Sequence, residues 1–283
     1  MAWRRTFAAA FLASCAAAPS DPPTLIAPEP PAGATTGTQL AAALAGLDLE
    51  DRERALWDEA VSGNLPAFLR TLVPVEVHAE IGGVERTGTF WCAPDYLGFG
   101  PADDWFRAPM TPSLAQRIAD HYGATLPTRR MVDVIWRAAT VRLEPSPISP
   151  DEHDITSVEI FRRHHLRIEE QRGAVPPGAL VAGIKKDVVT SALVVDSPGR
   201  VCIYGWHRPD GTRIQPLYRG HVEHYVDYSH GIRLVAHSML VDGEPMTVEA
   251  VLADPALHVL LSDEGPIVAS RYSAGPRSTP RGE

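Results

Sequence analysis

The chain is short of cysteine, of positive charge and of long apolar runs, and each shortage excludes something. Three cysteines among 283 residues rule out a disulfide-stapled scaffold, and a chain of this length buries a core without such staples. Lys and Arg number 26 against 35 Asp and Glu, for a formal charge of −9. No local basic stripe offsets that balance, so nucleic acid is excluded as the main partner, because phosphate binding draws on clustered cations. No apolar stretch approaches the roughly 20 residues that cross a bilayer. There is no internal repeat, and at 45% hydrophobic residues the composition is that of a globular chain.

The first fifteen residues are of a different kind. Arg4 and Arg5 precede an apolar stretch from Thr6 to Ala13, and small residues follow up to Cys15. A positive start, a short apolar segment and a small-residue end outline a secretory signal. The four residues Leu12-Ala13-Ser14-Cys15 resemble the lipobox of bacterial lipoproteins. That resemblance covers residues 1–15 alone and implies cleavage before Cys15, lipidation of its thiol and an extracytoplasmic, membrane-anchored protein. The plainer alternative is an ordinary signal cut near Ala18, giving a secreted protein. Residues 16–38 are rich in Pro, Ala, Gly and Thr with almost no charge, and they read as a flexible tether, since such a segment buries too little apolar surface to offset its ordering. Residues 39–272 then form a single globular domain, with a polar tail at 273–283.

Periodicity predicts an α+β domain, with helices in the first two thirds packed on an antiparallel sheet formed mainly by residues 180–250. Helical spacing covers 38–60, with a break at Gly46 or Asp48, and further helices at 66–72, 113–122, 129–140 and 156–172. Those at 113–122 and 129–140 are expected to form a helical hairpin. Alternation predicts a strand pair at 73–81 and 84–91 turned by Gly82-Gly83, and later strands at 180–189, 200–207, 212–218, 232–241 and 244–248. Residues 93–112 read as a long loop with exposed aromatic residues. Cys92 and Cys202 are either a disulfide or two buried thiols, and neither sits in a motif that would activate a nucleophile.

Five histidines fall between 207 and 237, and they concentrate the candidate chemistry in 220–233. Three readings compete. His207, His221 or His224, Asp227 and His230 offer imidazole and carboxylate ligands, and His207, His221 and His230 are the metal candidates for a zinc ion with an activated water. No established zinc spacing is present. In the second reading Ser229 is a nucleophile, His230 or His207 its base, and Asp227 or Asp187 the group that orients the imidazole; the strand-to-helix elbow GxSxG is absent. In the third, these side chains satisfy backbone groups in a turn and bind without chemistry.

Lys185 and Lys186 interrupt an apolar strand, one facing inward. Lys185 is a candidate stabiliser of a developing oxyanion, and the bland reading is an edge strand guarded by lysines. Asp103 and Asp104 form a possible carboxylate pair or calcium site, or else a solvated loop. Trp91, Tyr96, Phe99, Trp105, Phe106 and Trp206 suggest either core or a sugar platform. The expected function is an exported, lipid-anchored hydrolase of an amide or glycan polymer of the cell envelope or beyond, working through His207, His221, Asp227, Ser229, His230 and Lys185. The alternative is a non-catalytic binding or assembly lipoprotein that takes an extracytoplasmic polymer or a small-molecule ligand.

Overall fold

The computed structural model describes residues 22–195, 197–268 and 271–273. The signal and Cys15 lie outside them, as do the start of the expected tether and all but the first residue of the polar tail. Part of the expected tether, Pro23 to Pro28, is tied to the domain by hydrogen bonds. Leu25 is buried, its N–H donates to the Arg70 carbonyl at 2.9 Å, and the Ile26 N–H donates to the Tyr122 carbonyl at 2.9 Å. The Arg70 guanidinium in turn donates to the carbonyls of Ala27 at 3.1 Å, Pro28 at 2.6 Å and Gly63 at 2.8 Å. One buried leucine and a ladder of main-chain bonds offset the ordering entropy that composition alone left unmatched.

Helix α1 (Gly37–Leu44) opens on a capping box between Thr36 and Gln39. Helix α2 (Leu49–Val61) starts at Asp48, and between them Gly46 takes φ +83°, the predicted break. A short α3 (Ala67–Arg70) precedes the hairpin of β1 (Val73–Ile81) and β2 (Val84–Cys92), which pair from Val73 with Cys92 to Ile81 with Val84 around Gly82 and Gly83. Beyond β2 the expected exposed loop is interior. It folds into β3 (Gly98–Phe99) and β4 (Phe106–Arg107), and Tyr96, Phe99, Trp105 and Phe106 are all buried, with Trp91 and Trp206, so the sugar-platform reading fails and these rings are core. Gly98 permits the close approach, because a Cβ there would sit 2.4 Å from the Phe106 carbonyl oxygen. Asp104 accepts from the Thr38 N–H at 2.9 Å and its hydroxyl at 3.0 Å, so it holds the start of α1 and shares no site with the exposed Asp103.

Helix α4 (Pro112–His121) is capped by Thr111 instead of Ser113, because Pro112 suits the first helical position. Strand β5 (Ala124–Thr125) follows, then α5 (Arg129–Ala138), capped by Thr128. The helical hairpin does not form: β5 joins a sheet between the two helices, and α5 packs on β1 and a later strand. After β6 (Val141–Arg142), Ser157 caps α6 (Val158–Arg172). The remaining elements are β7 (Val181–Ala182), β8 (Lys186–Val188), α7 (Ala192–Val195), β9 (Ile203–His207), β10 (Arg213–Tyr218), β11 (His230–Gly231), β12 (Val235–Val241), β13 (Glu244–Thr247) and α8 (Val248–Ala253), closed by a 3₁₀ turn at Leu257–Leu260.

The fold is α+β, with the sheet divided differently from expectation. One sheet has the order β1-β2-β12-β13 with β5 on β12, so the early hairpin joins the late one. A second has the order β10-β9-β8-β11, antiparallel except for the parallel pair β8 and β11, and β3 with β4 and β6 with β7 form two small two-stranded sheets. One apolar cluster, with Leu44, Leu56, Phe99 and Phe161, lies under α1, α2, α4 and α6; a second, with Val77, Phe90, Met131 and Met239, joins the first sheet to α5 and α8. Cys92 and Cys202 are both free and buried, and burial pushes their thiols up to about 12 and about 11. They are inert core residues.

Candidate functional site

The parallel pairing of β8 with β11 sets Lys186 beside His230 and Asp187 beside Gly231, and the Lys186 N–H donates to the Ser229 carbonyl at 2.8 Å. The chain enters β11 through a turn tied by one carboxylate. Asp227 Oδ1 accepts from the Ser229 N–H at 2.7 Å and from Ser229 Oγ at 2.5 Å, while Oδ2 accepts from the Tyr225 hydroxyl at 3.1 Å. Nε2 of His230 stands 4.0 Å from the same Oδ2. Both ring nitrogens of His230 are buried and have no hydrogen-bond partner among the described residues. Half-exposed His221 stacks on Tyr225 at 4.3 Å between ring centroids and covers the buried His230, 6.3 Å away.

Burial dominates the electrostatics. It drives the His230 imidazole down to about 4, with Lys186, His221 and Lys185 adding to the effect and Asp227 opposing it. His230 is therefore neutral at pH 7. Burial opposes the charge of Asp227, yet His230 when protonated, Lys186 and the two bonds from Ser229 outweigh it and hold the carboxyl below its usual range. With His230 neutral, Lys186 and Ser229 carry that stabilisation.

Lys185 faces inward, as one of the two lysines was expected to. Its Nζ donates to the Tyr228 carbonyl, and burial, followed by the charge of Arg107, pushes the amine down to about 7 against Asp227 and Asp95. The edge-strand explanation does not hold, since β8 lies between β9 and β11. Beside it His164, wholly buried, packs its ring 4.8 Å from Tyr228 and also has no partner for either ring nitrogen among the described residues. Lys186 lies 5.3 Å from the Trp206 ring, and Trp206 holds φ +55°, a left-handed backbone that a bulky residue adopts only under constraint.

His207 belongs elsewhere. Its Nε2 pairs with Asp133 Oδ1 at 2.8 Å, its ring stacks on Trp136 at 5.5 Å, and Asp133 also accepts from Tyr204 at 2.9 Å. A hollow of about 10 Å³, the size of one water, touches His207, Lys185, Asp187, Tyr96 and Arg233. Tyr96 donates to Asp187 Oδ2 at 2.9 Å, and burial raises the Asp187 carboxyl to about 6. Arg233 spans this layer, donating to the carbonyls of Ala93 at 2.8 Å and Val181 at 2.7 Å.

Of the sequence candidates, His221, Asp227, Ser229 and His230 come together, Lys185 joins them through Tyr228, and His207 does not. The zinc set of His207, His221 and His230 is thereby broken, and among the described residues no three His, Cys, Asp or Glu side chains are placed to hold a metal. The serine reading is corrected too. Ser229 Oγ gives its hydrogen to a carboxylate that accepts two more bonds, no imidazole among the described residues holds it, and the side chain is buried. Asp187 faces Tyr96 and orients no histidine. Exposed His224 lines a surface cleft.

Sequence reasoning missed Tyr225, Asp133, His164 and Arg233. The one available signal was a charged residue inside an apolar run, as Arg233 is between Ile232 and Leu234. What the arrangement offers is a neutral buried imidazole beside a carboxylate, with a near-neutral amine behind it, the parts of an acid–base centre. Compared with family models, curated proteins and solved structures, the chain matches none of them.

Proposed function

We propose that this protein is an exported, lipid-anchored hydrolase of an amide or glycan polymer of the cell envelope, with His230 as its acid–base group, Asp227 as the carboxylate that orients it and Lys185 as a charge stabiliser. The observation that carries the reading is His230 itself: an enclosed imidazole whose two nitrogens have no partner among the described residues, 4.0 Å from a carboxylate. Buried polar groups are nearly always paired, and exceptions gather where a reacting group or water completes the set. Substrate reaches His230 by displacing the His221 and Tyr225 rings that cover it. Export and anchoring rest on Arg4, Arg5 and the Leu12-Ala13-Ser14-Cys15 run.

Purified protein incubated with isolated peptidoglycan should release new amino groups or reducing ends, and His230→Ala should abolish the release while remaining folded. Equal release by wild type and His230→Ala overturns the assignment. Palmitate labelling of the whole chain in a bacterial host should be lost in Cys15→Ser; labelling that persists overturns the anchor. The near-complete burial of His230 and Lys185 favours one second reading, a binding lipoprotein without chemistry. It predicts retention of the polymer with no product formed.

A further inference from the structure

A cleft of about 510 Å³ lies outside the His230 cluster and is lined in part by the 222–226 turn. One wall is the beginning of α6, with Thr156, Ser157 and Val158; the other is Val222, Tyr225 and Val226; Leu47 and Leu49 close an end. Arg52, reaching in from α2, lines the same cleft.

Among the described residues, Arg52 is an arginine without an ion pair. It is 8% exposed, and its Nη1 donates to the Thr156 carbonyl at 3.3 Å while its guanidinium lies 5.3 Å from the Phe161 ring. Its Nε is buried with no acceptor among the described residues. Burial lowers its pKa by more than the charges of Glu53 and Asp154 restore, so no neighbour compensates this cation fully. A buried guanidinium ordinarily finds a bidentate carboxylate or phosphate.

The α6 terminus adds donors at the same place. Ser157 Oγ caps the Ile160 N–H at 3.4 Å, while the Val158 and Glu159 N–H groups precede any intrahelical acceptor. Fifteen residues of helix put partial positive charge there. Asp154 opposes an anion at the rim, although its Oδ1 is engaged by Thr156 N–H at 3.1 Å and Oγ1 at 2.7 Å.

We infer that this cleft binds a small organic anion, a carboxylate or phosphate carried on a short apolar or aromatic group, with its charge on Arg52 and the α6 terminus and its apolar part against Tyr225, Val222 and Leu49. The inference stands whether or not His230 is catalytic. Tyr225 nonetheless links the two places, because its ring lines the cleft and its hydroxyl donates to Asp227.

The test is an amide NMR titration of the folded domain with benzoate, phenyl phosphate and inorganic phosphate. Saturable shifts centred on Val158, Glu159 and Val226 are expected for at least one aromatic anion, with inorganic phosphate weaker; the stronger of the first two identifies the acid group. Arg52→Met, which keeps the stem packed on Phe161, should weaken binding roughly tenfold or more, as loss of a charge-assisted contact does. Asp154→Asn keeps an acceptor for Thr156, removes the competing charge and should tighten binding several-fold. If Arg52→Met fails to fold, the Asp154→Asn arm decides alone. No saturable shift at millimolar probe, shifts scattered over Arg162, Arg163 and Arg167 of α6, or affinity unchanged in the folded variants would overturn the inference.

Discussion

Ser229 and Asp227 are bonded twice, through the Ser229 N–H at 2.7 Å and its hydroxyl at 2.5 Å to the same carboxylate oxygen. The serine therefore shapes the turn that delivers His230 to β11. Ser229→Ala is expected to cost about 1.5–3 kcal/mol of stability, the worth of a buried bond to a charged acceptor, with the hydrolytic rate of the folded fraction nearly unchanged. Urea melts set beside specific activity check this, and a serine-directed phosphonate should leave Ser229 unlabelled.

His230 makes stability depend on pH. Its folded value is about 4 against the ordinary 6.5, so the unfolded chain takes up a proton that the folded chain refuses. The stabilisation is fully present above 6.5 and is lost as pH falls through the interval to 4. The size is on the order of 3 kcal/mol. His164 and His165, also held well below their ordinary range by burial, steepen the same fall. His230→Gln should flatten the curve of unfolding free energy between pH 7 and pH 5; an unaltered curve contradicts the enclosed neutral imidazole.

Lys185 has the same sign at higher pH. Its folded value of about 7 lies below the ordinary 10.5, so its contribution is present above 10.5 and declines as pH falls through 7. Lys185→Met should be at least as stable as wild type at pH 6.5 and inactive in the polymer assay. A variant that is both stable and active would remove Lys185 from the mechanism.

Arg107 holds the underside of the site. It pairs with Asp95 at 2.5 Å and Glu169 at 2.6 Å, all but sealed from solvent. Breaking one partner of a buried pair leaves an uncompensated charge, so Asp95→Ala or Arg107→Ala should each cost about 3–5 kcal/mol. The double replacement Asp95→Leu with Arg107→Met should cost less than the sum of its parts, measured by chemical denaturation.

What could be read in the sequence was local. The hairpin of β1 and β2 followed from alternation and two glycines, and Asp227, Ser229 and His230 could be gathered because they lie within one four-residue turn. What failed was long-range. His207 finds Asp133, 74 residues away, and Asp187 finds Tyr96, 91 away, so neither partner leaves a mark near its mate. The early hairpin completes its sheet with β12 for the same reason: edge pairing is settled by tertiary packing, which residue periodicity does not encode.

The strap at Thr24–Pro28 sets a leash. Thr24 bridges Thr71, and Leu25 is clamped directly after it. If Cys15 carries the lipid, the chain from it to Thr24 can reach at most roughly 30 Å even when drawn out straight. Under the proposed anchor and activity the domain would ride close over a bilayer, and a polymer substrate would have to lie within that shallow band, a restriction that lengthening the span by a flexible insert would relax.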